Sequence, residues 1–362
     1  MVTANDADVE ENMKAVRLFE YGGPDVLVYV DVPVPVVGVD EVLIRVRATS
    51  ANAWDLRYRA GHLPASLPGR GAFPLPFQLG RDAAGEIVAV GADVNRWHVG
   101  DRVVQMAHPA CGRCAMCLRG NDNLCLDVEV PGHQIFGGNA EYIVRHQDAV
   151  LTIPDGVGFE VAAATMWSYS TPLNCARRAP VGPGDTVLIT GASGSMATAC
   201  AQVAKLNGAI VIGTTTKTDR DDRLKAAGYD HIVHSTDPRM TDHVRDLTRG
   251  LGVDAVWDCV GGDDFFQLSV LCVRVGGTVL VLGAPLDAGR NLDMSIMTFI
   301  AKEMNVHGVR GARRRDNEIC LELLADRKIS PVIDRTFPLS QAAEAHAYLE
   351  SQGPIGKVLL LP

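Results

Sequence analysis

The sequence predicts an α/β protein of two domains, one mostly β and one built on a doubly wound parallel sheet, and three observations predict it. From residue 13 to about 150, short strand patterns are broken at intervals by Gly and Pro, the rhythm of a compact β domain. Between 155 and 305 the rhythm changes to apolar strands alternating with helical segments, as in repeated βαβ units. Within that stretch one strand runs directly into a turn of small residues and then a helix, which is the context for binding phosphate. A chain of 362 residues with 47% hydrophobic and 21% charged residues can bury two cores. Its formal charge of -9, with no long basic run, argues against nucleic-acid or anionic-membrane surfaces and favours small-molecule chemistry. No segment approaches the ~18 apolar residues of a membrane span, and the first residues lack the basic and apolar regions of a secretion signal, so a cytoplasmic protein is expected.

In chain order, residues 1–12 are polar and acidic and read as a flexible extension, with strand alternation beginning at Met13. Strands follow at Val26–Val30, Glu41–Ala48, Gly85–Val90, Asp101–Gln105 and Ala140–Val144. The second domain, 155–305, carries strands at Thr186–Thr190, Ile210–Gly213, His231–His234, Ala255–Cys259 and Thr278–Gly283, short and β-branched as buried parallel strands tend to be. After it come a helix at Asp316–Asp326 and an apolar strand at Lys357–Leu361, which return the chain, from 306 to 362, to the first domain.

The strand Asp185–Thr190 leads through Gly191 into Ala192-Ser193-Gly194-Ser195-Met196-Ala197 and a helix. Small residues at 192, 194 and 197 let the backbone approach a pyrophosphate, whose charge the helix N-terminus stabilises. The fingerprint is degenerate, and only the surrounding strand and βαβ units raise it above an ordinary helix start. Sites that prefer NAD place a carboxylate about 20 residues on, against the ribose hydroxyls. Here stand Thr214, Thr215, Thr216 and Lys217, with Arg220 and Arg223 nearby, so the expected cofactor is NADP(H). The plain alternative is a solvated loop in which these cations face Asp219, Asp221 and Asp222.

Four of the nine cysteines fall in one loop, within 108–128: Cys111, Cys114, Cys117 and Cys125. Four thiolates at this spacing suit a tetrahedral structural Zn2+, one per chain, with no coordination position left for substrate. An iron–sulfur cluster and a redox disulfide pair are the alternatives. Cys175, Cys200, Cys259, Cys272 and Cys320 lie in apolar or helical contexts and read as small buried hydrophobes.

Together these pieces resemble the medium-chain dehydrogenase/reductase superfamily over residues 13–362. Met13-Lys-Ala-Val, Tyr21-Gly-Gly-Pro-Asp-Val-Leu27, Asn52-x-x-Asp55, Gly80-Arg-Asp-Ala-Ala-Gly85 and Gly356-Lys357-Val look like its quinone-oxidoreductase branch. The four-cysteine lobe, in contrast, is normally seen with the zinc alcohol dehydrogenases. The resemblance implies a GroES-like catalytic domain, 13–154 with 306–362, interrupted by a Rossmann domain, and a homodimer. It also implies that Thr171 lies beside the nicotinamide, and that Ser193, Gly194, Ser195, Met196, Thr215, Thr216, Lys217, Arg220, Val260, Gly283 and Lys357 serve the cofactor. Zinc alcohol dehydrogenases hold a catalytic zinc with a Cys, the His of Gly-His-Glu, and a later Cys or Asp. The matching positions here are Asn52, Arg81 and Trp167, none a normal zinc ligand, and the position of their proton-relay hydroxyl falls at Trp54.

Without a Lewis acid the easiest hydride acceptor is one activated by conjugation, so reduction of an enone, enoyl thioester or quinone is expected. Asn52, Asp55, Tyr58 and Trp167 are the candidate catalytic residues, Asn52 as donor to the substrate oxygen and Tyr58 as proton donor. Each has an ordinary reading: Asn and Asp cap turns, Tyr and Trp pack, and Arg81 pairs with Asp82. Two further readings stay open, a metal-free ketone or aldehyde reductase, and an NADPH-binding protein with little catalysis.

Overall fold

The structure is a computed structural model that describes residues 11–62, 75–283 and 293–362. It divides into two compact units, 1–167 with 311–362, and 168–310. The expected extension at 1–12 lies outside the described residues up to residue 10, while Asn12 already pairs with Pro33.

In the first unit β1 (Asn12–Leu18) lies antiparallel to β2 (Leu27–Pro33). β3 (Glu41–Ala51) is followed at once by a short helix, α1 (Ala53–Arg59), then by β4 (Ala83–Val90), β5 (Arg102–Gln105), β6 (Tyr142–His146) and β7 (Val150–Thr152). β3 is the hub: it pairs antiparallel with β4 along its length and with β6 through Glu41–Arg45. The apolar residues of these strands meet in a core of Val42, Ile44, Val46, Ile87, Val103, Ile143 and Val150, capped by Trp97. Buried and half-buried positions alternate along the second half of β4, so a one-residue slip would turn its core face outward.

The helix α2 (Phe159–Arg178) leads into the second unit, whose strands are β8 (Thr186–Ile189), β9 (Ile210–Thr215), β10 (His231–His234), β11 (Val253–Asp258), β12 (Val273–Val281) and β13 (Asn305–Gly308). Between them run α3 (Ser195–Leu206), α4 (Asp221–Ala226), α5 (Met240–Leu247), α6 (Asp263–Cys272) and α7 (Ile296–Lys302). The sheet order is β10-β9-β8-β11-β12-β13, and every pair is parallel. That is the doubly wound order, with its topological switch between β8 and β11, where ligands bind beyond the carboxyl ends of the strands. Val187, Leu188 and Ile189 of β8 are all fully buried, as a strand covered on both faces requires.

The chain then closes the first unit with α8 (Arg314–Ala325), β14 (Ile333–Pro338), α9 (Ala342–Gln352) and β15 (Lys357–Leu361), which adds antiparallel to β3 at Thr49–Ala51. Two boundaries differ from the expectation of 154/155 and 305/306. Residues 155–167 group with the first unit, and Asn305–Gly308 form the sixth parallel strand of the second. No helix among the described residues is long and apolar enough to cross a membrane.

Candidate active site, nucleotide site and cysteine lobe

The end of β3 and the start of α1 place Ser50, Asn52 and Asp55 together. Asn52 is the N-cap of α1, and the Asp55 carboxylate accepts a hydrogen bond from the Asn52 backbone N–H at 2.9 Å. This is half of a capping box, so the ordinary reading of Asn-x-x-Asp describes part of what the structure shows. Asn52 is 4% exposed and Asp55 is fully buried.

Gly80, at φ +105°, turns the next two residues inward; a Cβ there would lie 2.4 Å from Asn139 Oδ1. The ordinary reading of Arg81 and Asp82 as an ion pair is not what the structure shows, since Asp82 pairs with Lys357. Its Oδ2 accepts from Lys357 Nζ at 2.7 Å and Ser50 Oγ at 2.6 Å, and its Oδ1 from the Trp167 backbone N–H at 3.0 Å. Lys357, expected at the cofactor, lies in the first unit and is 2% exposed, with its ammonium also donating to Asn52 Oδ1 at 2.6 Å. A buried ion pair of this kind survives only because each partner's remaining valences are filled. Ser50 and Lys357 were therefore missed as members of one network, since more than 300 positions in sequence separate them.

Arg81 stands beside that network with a different set of neighbours. It is 3% exposed, and its guanidinium lies 4.3 Å from the Trp167 ring centre, 5.7 Å from Tyr58 and 6.0 Å from Trp54. Its Nη2 donates to the Tyr58 hydroxyl at 3.1 Å. Tyr58 stacks on His133 at 4.6 Å, and Trp167 on His108 at 4.7 Å. The four candidate catalytic residues Asn52, Asp55, Tyr58 and Trp167 all lie in the first unit, and Arg81, which was not among them, contacts Tyr58 and Trp167.

Burial pushes the Asp55 carboxyl up to about 6, against the lowering fields of Arg81 and Lys357 and with Asp82 adding to the rise. A carboxyl held near neutrality can give or take a proton under ordinary conditions. A cavity of about 750 Å³ in the same unit is lined instead by residues such as Arg17, Arg145 and Cys111, and includes none of these catalytic candidates.

In the second unit the turn after β8 begins at Gly191, φ +66°, whose missing Cβ would meet Val260 Cγ2 at 2.7 Å. The Gly191 N–H donates to Thr214 Oγ1 at 3.2 Å, tying the turn to β9, and Gly194 caps α3. Ser193, Ser195 and Met196 are half-buried in this turn, and Val260 and Gly283 follow β11 and β12. Thr215 is buried at the end of β9, where its Oγ1 accepts from the Lys217 N–H at 3.1 Å. Thr216 and Lys217 are exposed, and Arg220 lies 3.8 Å from Asp219. Thr171 is buried on α2. Free N–H groups at the head of α3, with no carboxylate among Thr214–Lys217, fit a dinucleotide pyrophosphate and ribose.

The four sulfurs of Cys111, Cys114, Cys117 and Cys125 lie within 4.8 Å of one another. Tetrahedral zinc with Zn–S bonds of about 2.3 Å needs sulfurs roughly 3.8 Å apart, so the donor set fits the ion. The N–H groups of Cys111 and Asp127 each donate to Cys125 Sγ at 3.3 Å, which orients that sulfur within the lobe. Among the described residues this is the one cluster of three or more Cys, His or carboxylate side chains gathered closely enough to hold a metal ion. Of the remaining cysteines, Cys175, Cys200, Cys272 and Cys320 are buried and Cys259 is half-buried.

Two family models match the chain: the alcohol dehydrogenase GroES-like domain over residues 38–155 and the zinc-binding dehydrogenase domain over 227–360. The chain is 33% identical to a sorbitol dehydrogenase of Bacillus subtilis (strain 168) over 284 residues, 76% of this chain and 77% of that protein. It is 31% identical to a sorbitol dehydrogenase of Halalkalibacterium halodurans over 339 residues, 91% and 94% of the two. A solved NAD-dependent alcohol dehydrogenase superposes with a TM-score of 0.89 at 34% identity, covering 97% of this chain and 100% of that one. A GroES-like unit and a parallel-sheet nucleotide unit in one chain define an oxidoreductase scaffold. The chain belongs to the medium-chain dehydrogenase/reductase family, on its zinc-type alcohol dehydrogenase-like side.

Proposed function

We propose that this chain reduces an activated C=C bond, in an enone, enoyl thioester or quinone, with NADPH and without a catalytic zinc. The observation that carries the reading is the residue set at the family's catalytic-zinc positions. Asn52 is taken up by Ser50, Asp82 and Lys357, Arg81 carries a fixed positive charge, and Trp167 offers a ring face. The nicotinamide, when bound, supplies hydride. The chain supplies donors for the oxygen on which charge develops, from Arg81 and Tyr58, and a titratable carboxyl in Asp55. Preference for NADP(H) rests on Thr215, Thr216 and Lys217, where a carboxylate would repel a 2′-phosphate.

Reduction of a ketone or aldehyde is the second reading, favoured by relatives named as alcohol and sorbitol dehydrogenases. An NADPH-oxidation screen separates the two. Turnover of enones, enoyl thioesters or quinones is expected, and turnover of ketones alone would reject the double-bond reading. NADPH bound tightly but never consumed would reject both in favour of a nucleotide-binding role. Elemental analysis of the same sample should give about one zinc per chain. We also read the protein as a cytoplasmic homodimer, supported by the edge strand β13 and the exposed Ile296, Met297 and Ile300 of α7, and light scattering on the pure protein tests the assembly.

A further inference from the structure

A guanidinium that is 97% buried ordinarily meets a carboxylate, because unpaired charge in a protein interior is costly. Arg81, at 3% exposure, does not: among the described residues no carboxylate lies within 4.0 Å of it, and its Nε, itself buried, has no hydrogen-bond partner. The adjacent carboxylate of Asp82 is already saturated by Lys357, Ser50, Asn52 and the Trp167 N–H. Asp55 turns one oxygen to the Asn52 N–H, and its other oxygen has no partner. Aromatic faces wall the guanidinium: Trp167, Tyr58 and Trp54 stabilise a cation through their ring quadrupoles while supplying no counter-ion. The stacks of Trp167 on His108 and Tyr58 on His133 hold two of those walls in place.

The arrangement has the features of a built anion receptor. The cation cannot lose its charge, its planar fork suits a carboxylate, and its position is fixed by stacking and by the Tyr58 hydroxyl. We propose that Arg81 binds an anionic oxygen of the substrate, and that the acceptor is an α,β-unsaturated acid whose carboxylate sits on this guanidinium. The proposal rests on the reading of the chain as a reductase of activated double bonds, and narrows it from neutral enones to enoates. Arg81 then both selects the substrate by charge and stabilises the enediolate that forms as NADPH gives hydride to the β-carbon and becomes NADP+, the α-carbon then taking a proton from water to complete the saturated acid. Asn52, Ser50 and Lys357 are positioning residues in this scheme, because they keep Asp82 from competing for Arg81.

The test is equilibrium binding, so that it does not depend on turnover. Crotonate and its neutral analogue crotonamide are titrated into the full chain with NADPH present, by calorimetry and by tryptophan fluorescence, since Trp54 and Trp167 flank the guanidinium. Wild-type protein should bind crotonate at least about tenfold more tightly than crotonamide, as expected for a charge-assisted bidentate contact. Arg81→Gln should abolish that preference, and Arg81→Lys, which keeps the charge but not the planar fork, should retain part of it. Equal affinity of the wild type for the two probes overturns the proposal whether or not either variant folds. So does a preference that survives unchanged in folded Arg81→Gln. A clear crotonate preference with no reduction of any enoate would sink the hydride-transfer reading and leave the anion site standing; reduction of enones without a crotonate preference would do the reverse.

Discussion

Replacing Asp55 by Asn isolates the cost of ionising a buried carboxyl, and its size follows from the structure. The side chain is fully buried, and desolvation is the largest influence on it, lifting its carboxyl from 3.8 to about 6. That rise corresponds to about 3 kcal/mol between folded and unfolded chains. The sign follows from proton counts. Between roughly pH 4 and 6 the folded chain holds the Asp55 proton and the unfolded chain does not, so rising pH destabilises the fold through this group. The stabilising contribution is complete below the unfolded value and is gone once pH passes the folded one. Asparagine never ionises, yet its side-chain oxygen can still accept from the Asn52 N–H. Asp55→Asn and wild type should therefore have similar urea midpoints near pH 4, whereas near pH 7 the variant should be more stable by up to about 3 kcal/mol. Measuring the difference between the two proteins cancels every other group that titrates alike in both. A difference that stays flat across this range, or that grows toward acid, would refute the assignment of burial as the dominant influence on Asp55.

The remaining predictions concern other parts of the molecule. Lys357→Met removes one partner of an ion pair whose side chains are 3% and 0% exposed, and should cost about 3–5 kcal/mol, read as a lowered urea midpoint. The double variant with Asp82→Asn should recover much of that loss, and a single-variant loss under about 1 kcal/mol would contradict the geometry. Cys114→Ser should release the zinc to a chromophoric chelator and lower the thermal midpoint, because Val128 and Val130 pack on the cysteine lobe, while NADPH binding persists. Thr215→Asp sets a carboxylate at the end of β9 and should shift the NADPH-to-NADH affinity ratio toward NADH by about tenfold or more, measured by fluorescence titration.

What could be read from the chain alone, and what could not, follows from how far apart the interacting residues lie in sequence. The parallel strands were legible because burial on both faces leaves continuous β-branched runs, and His231–His234 and Lys357–Leu361 were placed to the residue. β12 was expected from Thr278 and begins at Val273, with Gly276 and Gly277, which have no side chain to pack, lying within the strand. The cysteine lobe was legible because its four cysteines fall within one loop. The network at Asp82 was not, since Ser50, Asp82 and Lys357 sit on distant stretches that converge only when β15 pairs with β3. Arg81 is the instructive case. From sequence it was the neighbour of Asp82, and adjacent opposite charges suggest a local ion pair. Asp82 turns to Lys357 while Arg81 turns to three aromatic rings. The separation of those two charges leaves a buried cation that, among the described residues, has no carboxylate within 4.0 Å, though the field of Arg81 reaches Asp55. On the reading proposed above, loss of a metal ligand and gain of an anion site would be linked through this one residue, with the substrate's own charge completing it.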